Sequence, residues 1–515
     1  MTLPRLDNDC IYYIIKFSQY NRSTLFNFLL VNRFWCKVTV PLLYTNPFSP
    51  NLKSKSKILI VKTFLLCLNE EEKKYLIKQD NVCNMKNFFQ NNNLKPTFEY
   101  PKYIKYLSKS LIYNIIDFWF KKQKIDTCNL LKVAFYHMFL RQSDQIKELG
   151  IVSDIFDENI FDINYINNFI NISNLTTLQL HYSRVIEHEI FSKFLQKFVE
   201  YCKNIKQISL EQFERDYHLY EISSIINNQY KLKEFDYYIH TVDKLLSSNI
   251  IFDSLEYQKD SLVSLKLYNI TFEKLILQSI IKLYNLKSFE MDSFYNMTSE
   301  FCEIFEFASF KLKRLIIRNK FCDNDITTKI IKYLGLTLKI LKIKYINNEI
   351  MEKLVQYNNL DLDTFDIEYT NHNLLILPYL KNLKVKNLNL FLDSYLDDEI
   401  FFIKLAESLS ETTSHISFIN QKFLNKNILS NFLNNCHNYL ISLNFKWKCG
   451  LGHLKVILNY IKKKNNNNLK YLRIGDKNID WNVEELEILR QIKEKGVKLT
   501  QFIDNYKEYD YSYSD

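Results

Sequence analysis

One apolar-x-x-apolar-x-apolar signature recurs along most of the chain. It appears as Ile146-Lys-Glu-Leu149-Gly-Ile151, Leu175-Thr-Thr-Leu178-Gln-Leu180, Ile205-Lys-Gln-Ile208-Ser-Leu210 and Leu262-Val-Ser-Leu265-Lys-Leu267. Further copies centre on Phe289, Leu315, Leu341, Phe365, Leu443 and Leu472, and the central residues lie 24 to 30 positions apart in most cases. Within each copy the apolar-x-apolar core alternates sides as a strand does, sending every second residue to one face. Helix-like stretches such as 191–202 and 326–334 lie between copies. Residues 380–390 hold two overlapping candidates, and both registers stay open.

The period is that of a leucine-rich repeat. No such repeat buries its apolar face alone, so the expected fold is an α/β solenoid of parallel strands backed by helices, spanning 125–505. The same alternation names residues expected to stand exposed on a concave strand face. In order these include Gln207, Ser209 and Glu211; Glu234, Asp236 and Tyr238; Ser264, Lys266 and Tyr268; and Ser288, Glu290 and Asp292. Arg314, Ile316 and Arg318, then Ile340, Lys342 and Lys344, and finally Thr364, Asp366 and Glu368 continue the face. Arg314, Arg318, Lys342 and Lys344 form an expected basic patch beside acidic Glu290 and Asp292. That mixture suits a protein client, an acidic or phosphorylated segment among them, better than a polyphosphate.

The first fifty residues carry a different pattern, of three short helices. Asp7 or Asn8 can cap the first, on which Ile11, Ile14, Ile15 and Ser18 share a face. Ser23 can cap a second bearing Leu25, Phe28 and Leu29, and a third runs through Val31, Trp35 and Val38 to Pro41. Three helices of this length bury too little surface to stand comfortably alone. A basic linker, NLKSKSK, occupies 51–57, and 49–124 reads as a helical linker segment interrupted near 91–96.

Residues 1–48 resemble the F-box, on Leu3-Pro4, Asp9-Cys10-Ile11, Ile14 and Leu30-Val31-Asn32-Arg33-Phe34-Trp35. Extra residues after Pro4 leave Leu3 or Leu6 as the leading leucine. The tail 41–48, PLLYTNPF, is similar to the end of fungal F-box modules. The resemblance implies that Leu3, Pro4, Leu6, Ile11, Ile14, Leu30, Val31 and Trp35 contribute to a module binding a Skp-type adaptor and, through it, a cullin complex. It implies a non-catalytic subunit of the ubiquitin ligase, a substrate receptor whose gain is proximity. A ligase-independent scaffold, with the helices merely capping the solenoid, is the first alternative; a nucleic-acid-associated protein is the second.

Composition narrows the remaining classes. The net charge of +10 reflects lysines alternating with acidic residues, so a solvated surface explains it better than a nucleic-acid stripe. Six glycines and seven prolines argue against barrels and Gly-rich phosphate loops. No apolar run reaches membrane-spanning length, since 58–68 is interrupted by Lys62, and the N-terminus lacks signal-peptide character. The expectation is a cytoplasmic or nuclear protein without membrane association. Ten cysteines without ligand spacing read as small buried apolar residues. His181 and His188, with Glu187 and Glu189 nearby, complete no zinc motif and read as surface histidines; no metal or cofactor is expected. Residues 506–515 read as a disordered acidic tail.

Overall fold

The repeat signature becomes a ladder of parallel strands, each joined to the next by a segment that usually carries a helix. The computed structural model describes residues 7–49, 52–78, 85–91, 95–123, 129–156, 172–182, 189–212, 218–240, 249–319, 323–356, 361–369, 374–392, 399–420, 424–463, 468–475 and 481–500. The chain divides into two compact units, Met1–Leu262 and Val263–Asp515. The 506–515 tail lies outside the described residues. Among the described residues no helix is long and apolar enough to cross a membrane.

The first unit carries β1 (Tyr106–Leu107), β2 (Glu148–Val152), β3 (Thr177–His181), β4 (Gln207–Gln212) and β5 (Glu234–Ile239), paired in chain order and parallel. The second carries β6 (Ser264–Tyr268), β7 (Ser288–Asp292), β8 (Arg314–Arg318), β9 (Ile340–Ile343) and β10 (Asp361–Tyr369). It continues with β11 (Lys384–Leu392), β12 (His415–Asn420), β13 (Ser442–Phe445), β14 (Tyr471–Ile474) and β15 (Lys498–Thr500). These too pair in order and parallel.

Register keeps equivalent motif positions in line. Leu107, Leu149, Leu178, Ile208 and Phe235 are successive rungs of the first unit, all buried. In the second, Leu265, Phe289, Leu315, Leu341, Phe365, Leu388, Ile416, Leu443 and Leu472 do the same. The helices pack on this face: Phe252 lies 6.5 Å from Tyr237, and Phe402 and Phe432 lie 6.0 and 5.3 Å from Phe418. The ambiguous stretch resolves to Val385-Lys-Asn-Leu388-Asn-Leu390, because Leu388 pairs with Phe365 and Leu390 with Ile367. A further rung at β12, Thr413-Ser-His-Ile416-Ser-Phe418, carries a threonine where the signature wants an aliphatic residue.

Where the chain turns from helix to strand, backbone groups leave both ladders and need other partners. Buried amides supply them. Gln229 accepts from the Ile205 N–H at 2.8 Å and donates to the carbonyls of Cys202 and Ile225. Gln258 repeats the arrangement one turn on, toward Leu232, Ile226 and Gln229. Asn438 does so in the second unit, toward Ser410 and Thr413. At Gly150 of β2 a Cβ would lie 2.9 Å from the backbone nitrogen of Lys109, so the start of helix Lys109–Gln123 admits only glycine there.

Burial of the stacked leucines sets the first expected outcome. Leu315→Ala and Leu341→Ala, both fully buried, should each cost about 2–5 kcal/mol in denaturant unfolding. Hydrogen exchange should rise first in the mutated rung and its neighbours. A uniform rise over the whole chain would contradict nearest-neighbour stabilisation.

Candidate functional site

Three helices open the first unit: α1 (Asn8–Phe17), α2 (Arg22–Leu29) and α3 (Arg33–Tyr44). Asp7 caps α1, accepting from the Asn8 N–H at 2.7 Å. The second cap is Asn21, accepting from Thr24 at 3.1 Å, which corrects the assignment to Ser23; Ser23 lies inside α2. Asn32 caps α3 through Trp35 N–H at 3.0 Å, so the Leu30-Val31-Asn32-Arg33-Phe34-Trp35 stretch is a helix–cap–helix junction. Pro41 lies within α3.

Ile15, Leu25 and Leu43 form the centre of this small core, with Ile11, Phe28, Leu29, Trp35 and Val38 packed against it. The Trp35 ring meets Phe28 edge-to-face at 4.9 Å. Trp35 and Ile11 therefore hold the module together. Ile14 departs from the expected shared face: successive helical residues lie about 100° apart, and with Ile15 turned inward Ile14 stands 41% exposed. Leu30 is 86% and Val31 55% exposed, and Phe17 and Tyr20 are almost fully exposed. Leu3, Pro4 and Leu6 lie outside the described residues.

Aromatic packing joins the module to the helices of residues 52–142. Tyr44 lies 4.4 Å from Tyr100, and buried Phe48 lies 5.5 Å from Phe64 and 5.6 Å from Phe139. Arg22 donates to the Asn46 carbonyl at 2.7 Å, and Lys105 N–H to that of Thr45 at 3.0 Å. Behind them Glu72 accepts a two-pronged contact from Arg141 at 2.9 and 3.0 Å, linking helix Glu70–Lys78 to Asn129–Gln142.

The open face of the strands carries the residues expected to meet a client, and much of it is buried. Lys342 is 2% and Asp366 0% exposed, and Glu211, Asp236, Tyr238, Glu290 and Ile316 are buried as well. The physical reason is spacing: rungs stand about 4.8 Å apart, less than the reach of these side chains, so each is covered by its neighbours. Lys342 lies over the Phe391 ring, 3.9 Å from its centroid, and Asn389 donates to Asp366 at 2.7 Å.

Pairing also takes most of the expected basic patch. Arg318 bridges Glu290 at 2.5 Å and Asp292 at 3.4 Å, while Tyr268 donates to Glu290 at 2.9 Å. Burial works against the Arg318 cation, but the charges of Glu290, Tyr268 and Asp292 outweigh it and hold its pKa above the ordinary value. Lys344 faces Glu368 at 3.6 Å; burial lowers and the carboxylate raises its pKa, with the carboxylate prevailing. Arg314 differs. It is half-buried beside Ser288 and Ile340, and its Nε has no hydrogen-bond partner among the described residues.

His181 is not the surface histidine expected. Its Nδ1 hydrogen-bonds Glu211 on the adjacent strand, and His240 Nε2 reaches the other Glu211 oxygen at 2.9 Å. Burial pushes the Glu211 carboxyl up, yet the two imidazoles hold it well below the usual carboxylate range. Burial lowers the His181 pKa, against the pull of Glu211. His188 and Glu187 lie outside the described residues. Among described residues no group of three or more His, Cys, Asp or Glu is placed to hold a metal. Cys202, Cys302, Cys436 and Cys449 are buried, whereas Cys10 is exposed.

No protein-family model matches the chain, and no curated protein sequence matches it. Among solved structures it is similar to a chain of the yeast Rad7 and Elc1 complex, at 13% identity and TM-score 0.37, over 76% of this chain and 88% of that one. It is also similar to an internalin, inlF, of Listeria monocytogenes, at 11% identity and TM-score 0.26, over 69% and 92%.

The Glu211 cluster gives a pH signature. A depressed carboxylate contributes stability above its unfolded pKa of about 4.3 and loses it as pH falls below; a depressed histidine does the same from about 6.5. Both act in one direction. A Glu211→Gln/His181→Gln double variant should lose about 1–3 kcal/mol at pH 7. Its melting temperature should also fall less steeply than the parent's on acidification from about pH 6.5 to about pH 4. Parallel profiles would show that the pair contributes nothing pH-dependent.

Proposed function

We propose that the chain is the substrate-recognition subunit of a Skp–cullin–F-box ubiquitin ligase. In this reading α1–α3 bind the Skp-type adaptor and the repeat strands receive a protein client for ubiquitination. The observation that carries it is the exposure of Leu30 and Val31 at the α2–α3 junction, within the stretch that resembles the F-box. Their neighbours Leu25, Phe28 and Trp35 are occupied in the module core. Two adjacent aliphatic side chains held in water by a capped junction favour burial against a partner, at about 25 cal/mol per Å² of apolar surface covered. Ile14, exposed on α1, adds apolar surface to the same module.

The chain's own contribution is then positional. The module fixes the chain on the adaptor, and the client is held near a ubiquitin-loaded enzyme supplied by the complex. No catalytic side chain is assigned to this chain. Rigid attachment of the module serves that role, and Tyr44 and Phe48 anchor its end in the aromatic cluster with Phe64 and Phe139.

The test uses the full chain co-expressed with a Skp-type adaptor and cullin. Leu30→Glu/Val31→Glu should abolish co-purification of both while leaving the melting temperature within about 1–2 °C, since neither side chain is buried. Trp35→Ala should instead lower stability, because its ring packs on Phe28. Adaptor recovery unchanged in the double variant would favour a ligase-independent scaffold.

A further inference from the structure

The repeat signature carries a further polar position, the residue directly after the first apolar one. In the second unit this is Lys287 before β7, Lys313 before β8 and Lys339 before β9. They stand in line, because Lys313 N–H donates to the Lys287 carbonyl at 2.8 Å and Lys339 N–H to that of Lys313 at 2.9 Å. They mark the edge of the sheet where each strand begins.

Counter-charge separates these three. Lys339 pairs with Asp361 at 3.0 Å. Lys287 and Lys313 are exposed and make no ion pair among the described residues. Arg314 adjoins Lys313 at the head of β8, and its N–H donates to the same Lys287 carbonyl at 2.9 Å. Its register neighbours are Ser288 and Ile340, neither of them acidic, and its buried Nε lacks a partner. A half-buried guanidinium beside two exposed ammonium groups that make no ion pair among the described residues is a cluster of positive charge without a counter-charge, which an arriving anion supplies.

We propose that Lys287, Lys313 and Arg314 form a docking edge for an extended acidic segment of a protein partner. This rests on the client-receptor reading and names the client chemistry. It also moves the cation site off the face centre, where Arg318, Lys342 and Lys344 are covered or paired. The row is short. Lys339 is already paired, and the equivalent residue before the Thr364 rung is Asp363, so the unpaired row spans one rung interval, about 5 Å. That length matches about two residues of extended peptide. A nucleic-acid backbone gains its affinity from a long unbroken run of cations, which Asp361 and Asp363 interrupt.

Fluorescence anisotropy of the full chain with a labelled glutamate octapeptide tests the proposal, with a thymidine octanucleotide as the second probe. The parent should bind the peptide in a salt-sensitive manner. Lys287→Ala/Lys313→Ala/Arg314→Ala should weaken that binding about tenfold or more, and Lys493→Ala on the last helix should not change it. Lys287→Gln/Lys313→Gln, which leaves the half-buried Arg314 in place, should show an intermediate loss with an unaltered melting temperature. No binding by the parent, or equal binding by parent and triple variant, overturns the proposal. Tighter binding of the octanucleotide through these same residues overturns it in favour of a polyphosphate. Adaptor co-purification is measured on the same samples. Its loss with peptide binding intact would remove the ligase reading and leave the edge standing.

Discussion

Everything in this molecule depends on stacking one strand on the next in unchanged register. A strand bearing Leu315 and Ile317 cannot hide both residues by itself, and the helix behind it covers only one side. The neighbouring Phe289 and Leu341 complete the enclosure, and each depends on the next rung in turn. A slip of one residue in any rung would turn its leucines to the open face and its charges inward. The register is therefore held by two opposite penalties, apolar exposure on one side and unpaired charge on the other.

The second penalty explains the open face. Parallel rungs bring side chains of equal position within about 4.8 Å, so a line of like charge would be repulsive. The strands avoid it by alternating: Asp292 beside Arg318, Glu290 within the reach of Arg318, Glu368 beside Lys344. In the first unit Glu211 is shared between two histidines. Charges that look available in sequence are spent on register. In buried pairs of this kind desolvation offsets part of the attraction, and removing one partner leaves the other stranded.

How much of this was legible depends on the range over which each signal acts. The strands centred on Leu265, Leu315 or Leu472 were readable because strand alternation and repeat period are properties of local sequence. The strand at β12 was missed since Thr413 breaks the pattern, and β1 because Ile104 and Leu107 are followed by Lys109 where a third apolar residue belongs. Gln229, Gln258 and Asn438 look like ordinary polar turn residues; only the crossing of chain segments reveals the carbonyls they serve. The burial of Lys342 and Asp366 depends on neighbours more than twenty residues away, so alternation alone marks them as exposed. In the N-terminal module the three helices and the Asp7 cap of the first were readable, but the caps of the second and third, Asn21 and Asn32, were not. The choice between Ile14 and Ile15 was not, because both lie on the apolar side and packing decides which one turns inward.

Exposure acquires meaning only against this background of saturation. Where strand-face cations such as Arg318 and Lys344 are paired and the rung leucines are stacked, Arg314 with its unpartnered Nε and the uncovered Leu30 are out of keeping with their surroundings. The energetic logic differs between the two. Leu30 and Val31 are uncovered although the core of Ile15, Leu25 and Leu43 lies beside them, so their exposure comes from the capped junction that Asn32 imposes. Arg314 is half-buried with an unused donor, so its state comes from register, which sets Ser288 and Ile340 beside it in place of a carboxylate. Because each repeat leans only on its neighbours, a local departure such as that at Arg314 persists without loosening the rest of the ladder. A stack of this construction can therefore present chemically distinct surfaces at separate rungs, each set by two or three residues.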